Sequence, residues 1–286
     1  LTDPLLAAVS VPSSVGSKRV MTNVGSQRTQ GVSGTVKYSP VYHPEERINW
    51  TLSASFKHQK AKYEDIGNSL DQFNKENLNT SLVRYYDGGS PTALWAVRSL
   101  GINPSDGREL FLTKEGTYTF EYDTEDEVVV GNSEPKLEGV LGSTLYWKGF
   151  SFSLYFRYSL GADVFTEATY NKVENISLAG LKSNQDKRAL HDRWQKPGDH
   201  AKFKGISLTE TTPISSRFVL RENYIKAESI SVGYDFESQA VQKLGIQSLR
   251  LQANTTDLFR ISSIKEERGI EYPFARSFSF SLSAMF

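Results

Sequence analysis

The chain has 286 residues, with 33 Lys+Arg balanced by 33 Asp+Glu and no cysteine. Zero net charge removes the electrostatic footprint of a nucleic-acid binder; four scattered histidines and no thiols leave little for metal chemistry and exclude a disulfide framework. No uncharged apolar run reaches the length of a membrane helix and the first residues do not read as a signal peptide, but a mean hydropathy of −0.43 is blind to transmembrane β-barrels, whose strands alternate lipid-facing and lumen-facing residues.

TDPLLAA, near the start, offers the end of a strand. GVSGTVKY follows, within a strand expected over 28–39; Val32, Gly34, Val36 and Tyr38 share one phase, and Ser33, Thr35 and Lys37 the other. After the short link PVYHPEER, a strand is expected over 48–61, with Trp50, Leu52, Ala54 and Phe56 alternating against Thr51, Ser53, Ser55 and Lys57. The next stretch, 62–136, lacks this alternation and reads as a long irregular loop. LEGVLGSTLYW, 137–147, keeps Leu137, Leu141, Leu145 and Trp147 in phase and runs into a tight Lys148-Gly149 turn.

GFSFSLYFRYSLG, 149–161, is the clearest segment: Phe150, Phe152, Leu154, Phe156, Tyr158 and Leu160 alternate with Ser151, Ser153, Tyr155, Arg157 and Ser159. Such an alternation is a strand with one apolar and one polar face. It exceeds the usual soluble strand of about five or six residues and fits the roughly nine to eleven that cross a bilayer when tilted. A second long gap covers 162–222. In the strand at 223–236, Ile230, Val232, Tyr234 and Phe236 are in phase, but Ile225 and Ala227 are not, which predicts a β-bulge near Glu228. ESQAVQKLG is short, LRLQANT lies in a strand over 245–258, and 259–274 is a longer link. SFSFSLSAMF closes the chain, with Phe278, Phe280, Leu282, Ala284 and Phe286 against serines.

Short links at one end of the strands and long ones at the other are the habit of outer-membrane barrels. Tyr38, Trp50, Trp147, Phe150, Tyr234, Phe236 and Phe286 gather near the short links, as a periplasmic aromatic girdle would; the simpler reading is that aromatics favour strands. Lys57, Arg157 and Arg250 fall on the polar phase, which suits a lumen lining, because a basic side chain facing lipid costs about 2–4 kcal/mol at mid-depth.

The chain shows no GxSxG or HExxH motif, and the expectation is no enzyme, no cofactor and no metal. Asp123, Glu125, Asp126 and Glu127 form an acidic run; a calcium site there lacks the EF-hand glycine and spacing, and a solvated loop is the simpler reading. RYYDGGSPTALWAVRSLG, 84–101, is the most ligand-like stretch. Tyr85, Tyr86 and Trp95 are candidates to stack on sugar rings or peptide groups, with Arg84 and Arg98 as donors; the alternative is that they pack the loop on itself. HDRWQK, with Trp194, carries the same two readings.

The order of several motifs resembles the C-terminal part of SusC/RagA-family TonB-dependent outer-membrane transporters. They are the strand ending Ser231 to Tyr234, the turn and strand Lys243 to Arg250, Asn254 with Leu258-Phe259, and Tyr272 to Phe278. Upstream, NVGSQRTQGV (Asn23 to Val32) and GINPSDGRELF (Gly101 to Phe111) match the family's pattern, although Gln30-Gly31 and Asn103 depart from the more usual residues.

The resemblance implies an all-β fold, the C-terminal third (about seven to eight antiparallel strands) of a large transmembrane β-barrel with long extracellular loops, 1–286 being one barrel segment without plug or TonB box. It implies import of glycan or peptide oligomers across the bacterial outer membrane. The implied partners are a SusD-like surface lipoprotein, the TonB–ExbB–ExbD complex (through the plug-bearing part), outer-membrane lipid and the remaining barrel strands and plug. Phe278, Phe280, Leu282 and Phe286 would be the strand signal read during barrel assembly. A passive porin and a soluble glycan-binding β-sandwich are the alternatives.

Overall fold

The computed structural model describes residues 1–10, 16, 19–178, 180–207, 209–236, 245–265 and 275–286. The expected short link over 237–244, and Tyr272 to Phe274 of the family pattern, lie outside the described residues. Among the described residues the strands are β1 (Thr2–Ser10), β2 (Arg19–His43), β3 (Ile48–Glu64), β4 (Ala93–Ile102), β5 (Glu109–Leu112), β6 (Tyr118–Thr119) and β7 (Glu127–Asn132). They continue with β8 (Leu137–Trp147), β9 (Phe150–Phe165), β10 (Val219–Phe236), β11 (Ser248–Thr256), β12 (Arg260–Ser262) and β13 (Phe278–Met285). Each expected strand is present, and β2, β3, β9 and β10 all run beyond their expected ends. The chain divides into two compact units: a loop unit of Leu1–Gln30, Gln59–Glu134 and Ala162–Arg221, and a wall unit of Gly31–His58, Pro135–Gly161 and Glu222–Phe286.

The wall unit is a sheet in the order β2-β3-β8-β9-β10-β11-β13. Its register carries the alternation from strand to strand. Trp50 pairs with Leu145, and Leu145 with Phe152; Leu251 pairs with Tyr234 on one side and Leu282 on the other. All apolar phases therefore share one face, while Thr51, Thr144 and Ser153 share the opposite one. The apolar face is uncovered: Val36 is 64% exposed, Phe280 77% and Leu282 68%. Among the described residues of this unit, Ala227 is the one apolar side chain that is buried. A β-sandwich would bury this face against a second sheet; left bare, it matches a sheet whose solvent is lipid.

The short connections follow from backbone chemistry. Trp147 pairs with Phe150, so Lys148 and Gly149 form a two-residue hairpin with φ of 47° and 95°, the left-handed pair that right-twisted strands favour. The bulge expected in β10 sits on its partner instead. Ser229 pairs with Thr256 and the Ala227 amide donates to the Phe259 carbonyl, so Glu228 alone faces Asp257 and Leu258, and Asp257 takes a φ of 53°. The irregularity is opposite Glu228, but the extra residue belongs to the returning chain.

The loop unit corrects the expectation of an irregular 62–136. That stretch holds a second sheet in the order β6-β5-β4-β7. Its central strand β4 buries neighbours on both faces, Ala93 and Leu94, then Ala96 and Val97. A strand buried on both sides reads as a continuous apolar run with no period of two, so alternation cannot reveal it. Among the described residues two apolar clusters lie in this unit: Val24, Tyr63, Ile66 and Leu70, and Val173, Ala189, Phe203 and Phe218. Val24 joins the first because β1 and β2 slip register there: Leu5 faces Gly25 and Leu6 faces Asn23, which turns the extra residue inward.

Candidate functional site

The loop unit contains a cavity of about 600 Å³ lined by Tyr86, Trp95, Lys75, Lys114 and the acidic run. It is built from the RYYDGG segment upward. Arg84 is 1% exposed and donates from Nε and Nη2 to the two carboxylate oxygens of Glu127 at 3.0 and 2.8 Å, with Nη1 on the Ser81 and Val83 carbonyls. Burial raises the Glu127 carboxyl above its ordinary value, against the pull of Arg84. Tyr85 points the other way, to Tyr63 and Phe73, and its backbone is held at both groups by the Asn74 amide, at 2.9 and 2.8 Å. Asp87 accepts from the Ile66 and Gly67 amides. With its neighbours on both sides pinned, Tyr86 is left 43% exposed against Trp95, ring centroids 5.2 Å apart and planes tilted by 55°.

Another part of the lining is the segment before β7. Asp123 caps a helical turn by accepting from the Glu125 amide at 2.9 Å, and Asp126 accepts from the Lys114 amide at 2.9 Å. These bonds fix the two carboxylates in place. Among the described residues no group of three His, Cys, Asp or Glu side chains is arranged to hold a metal ion.

Of the substrate-contact candidates, then, Tyr86 and Trp95 come together at the cavity, and Tyr85, Arg98 and Trp194 do not join them. Arg98 donates from Nη2 to the Thr113 carbonyl, and its buried Nε has no partner. Trp194 closes over the Asn103–Arg108 turn: Nε1 donates to the Pro104 carbonyl at 3.0 Å, and a Cβ at Gly107 would lie 2.5 Å from the indole. Gly107, at φ 72°, is thus required twice over, by backbone and by space. The girdle candidates Trp147 and Phe150 stack at 6.1 Å, Phe150 meets Tyr234 at 4.4 Å, and Tyr234 meets Phe236 edge-on at 4.7 Å. Trp50 donates Nε1 to Ser143, and Tyr38 lies five residues inside the end of β2. Phe278, Phe280, Leu282 and Phe286 are all exposed, the first three in β13.

Sequence reading missed the clasp around Arg217. Its guanidinium bonds Glu109 and Glu174 together, while Ser215 and Thr212 donate to the same carboxylates at 2.6 and 3.0 Å. Burial pulls the Arg217 pKa down, and the two carboxylates more than offset it, leaving it above its ordinary value. In the wall unit Arg157 pairs with Glu228, Arg250 with Asp235 and Lys57 with Glu138, so each basic residue expected on the polar phase has an acidic partner.

A sheet with a bare apolar face and a charge-paired polar face, joined by long folded connections, defines a class: a segment of the wall of a transmembrane β-barrel. Relatives place it further. The chain is 22% identical over 92% of its length to TonB-dependent receptor P39 of Formosa agariphila and 25% identical over 92% to TonB-dependent receptor P26 of that organism. Its fold matches the RagAB peptide importer in the open-open state with a TM-score of 0.74 over 100% of the chain, at 17% identity, and in the closed-closed state with 0.70 over 91%, at 18% identity. No family model matches. The resemblance to SusC/RagA-type TonB-dependent transporters thus holds along nearly the whole chain. The chain covers 29% and 28% of the two receptors and 32% and 29% of the two importer chains, so it spans under a third of each. These relatives are receptors and an importer, not enzymes.

Proposed function

We propose that this chain forms barrel wall, lumen lining and extracellular loops of an outer-membrane importer of peptide or glycan oligomers. The observation that carries the reading is the two-faced sheet of the wall unit, apolar and exposed on one side and lined with cross-strand ion pairs on the other. Similarity to TonB-dependent receptors supports energised rather than passive uptake, and likeness to the RagAB importer supports a SusD-like lipoprotein as partner. In this reading β1 and β13, the two ends of the sheet order, pair with the remaining barrel strands, because unpaired backbone groups are not tolerated in lipid. The aromatics beside the short links sit at the periplasmic interface, and the outward row of β13 serves barrel assembly.

Deletion and restoration of the gene, with fluorescent oligopeptides and oligosaccharides offered to whole cells, tests this. The expected result is outer-membrane fractionation and uptake that disappears when the proton-motive force is dissipated. Uptake that survives dissipation would show a passive pore, and recovery in the soluble fraction would remove the barrel reading altogether.

A further inference from the structure

We propose that the cavity beneath Tyr86 and Trp95 is a subsite for a cationic group, an ammonium or guanidinium carried on the imported oligomer; this rests on the import reading and names the chemistry of its substrate. Three observations converge. The cavity, at about 600 Å³, falls within the roughly 300–1,000 Å³ of pockets that hold small ligands. Tyr86 and Trp95, packed together at 5.2 Å, both line it, and aromatic rings are groups that attract a cation. The same cavity is lined by Asp71, Glu115, Asp123, Glu125 and Asp126, together with Lys75 and Lys114.

Charge decides between ligands. Glu127 is already satisfied by Arg84, so it anchors the wall rather than the guest. The other carboxylates are exposed or half-exposed, and among the described residues none of them is in an ion pair. Their excess over the two lysines repels an anion. A neutral sugar stacks on aromatic rings equally well, but gains nothing from the acidic wall. A cation engages both at once, with the ring faces and carboxylates acting on the same positive centre. Asp123 and Asp126 are pre-set by their bonds to backbone amides, so little side-chain freedom is lost on binding.

The test uses the full-length protein in detergent and follows Trp95 environment by fluorescence together with calorimetry. Probes are the N-acetylated, C-amidated pentapeptide Gly-Arg-Gly-Arg-Gly, its citrulline isostere capped in the same way, a glucosamine tetrasaccharide and its N-acetylated form. At least one cationic probe should bind about tenfold or more tightly than its neutral isostere, and the preference should shrink in about 0.5 M salt, where the Debye length is only a few ångströms. The exposed pair Glu115→Gln/Glu125→Gln should abolish the preference, and Trp95→Leu should weaken the cationic probe. Preference for the arginine peptide identifies a peptide source, preference for glucosamine an amino-sugar source, and either supports the proposal. Equal binding of charged and neutral probes, or a preference unmoved by salt, overturns it. Uptake that persists with no cation preference would sink the subsite alone; loss of all energised uptake by the intact protein would sink the import reading.

Discussion

Arg84 and Glu127 form a two-point ion pair inside the loop unit, bonded at 3.0 and 2.8 Å, with the guanidinium 1% and the Glu127 residue 7% exposed. The pair joins the RYYDGG segment to the start of β7, and so sets the separation between the aromatic and acidic walls of the cavity. Arg84→Met strands a buried carboxylate, and the expected cost is about 3–5 kcal/mol. The double change Arg84→Met/Glu127→Leu should recover much of that loss. Thermal unfolding of the loop unit within the intact protein, followed by proteolysis at rising temperature, measures both.

Trp194 acts as a bolt on the Asn103–Arg108 turn. Trp194→Phe keeps the ring over Gly107 and loses the bond to Pro104, an expected cost of about 1 kcal/mol. Trp194→Ala removes the ring itself, at about 2–4 kcal/mol. Trypsin cleavage after Arg108 should therefore appear in the alanine variant and not in the phenylalanine one. Cleavage at equal rates in both would remove the bolt.

Phe280 is 77% exposed on the apolar face of β13, opposite Ala253, and the next residue, Ser281, faces Gln252 on the polar side. Phe280→Arg is expected to cost about 2–4 kcal/mol if the site lies near mid-membrane, and to lower the amount of protein in the outer membrane. Ser281→Arg, one residue along, should be assembled normally. Equal effects would mean the two faces do not meet different solvents.

Tyr63 lies in the loop unit, beyond the strand expected over 48–61, and burial followed by the neighbouring Tyr85 pushes its phenol up to about 12. A folded-state pKa above the unfolded one means stability is complete below about pH 10 and is lost as pH rises through 12. Absorbance of phenolate should show Tyr63 titrating late together with Tyr122 and Tyr170, whose phenols burial also raises, and Tyr63→Phe should remove one of these late steps. Tyr63→Phe should flatten the alkaline loss of stability between pH 10 and 12; an unchanged slope would assign that loss elsewhere.

Much of the wall unit was legible in the sequence because its cause is local. A strand between two solvents must alternate residue by residue, and Phe150 to Leu160 or Phe278 to Ala284 record that directly. The Lys148-Gly149 turn was legible for the same reason, since two left-handed residues carry a hairpin by themselves. The bulge shows the boundary. The phase change at Glu228 is visible in β10, but which of two paired strands takes the extra residue depends on the partner, and the pairing places it at Asp257 and Leu258.

The cavity belongs to the tertiary structure. Composition of the 84–101 stretch marked Tyr85, Tyr86, Trp95 and Arg98 alike, and nothing within it separates the ring packed on Tyr63 from the ring facing the cavity. Arg217 meets Glu109 and Glu174 across separations of 108 and 43 residues, and Arg84 meets Glu127 across 43. Such pairs leave no periodic trace, because loop closure and burial select them after the strands are placed. The sequence alone determined a sheet with one apolar and one polar face, since each residue's immediate solvent dictates its type. Tertiary packing alone decided which aromatics and carboxylates meet, since that depends on partners distant in the chain.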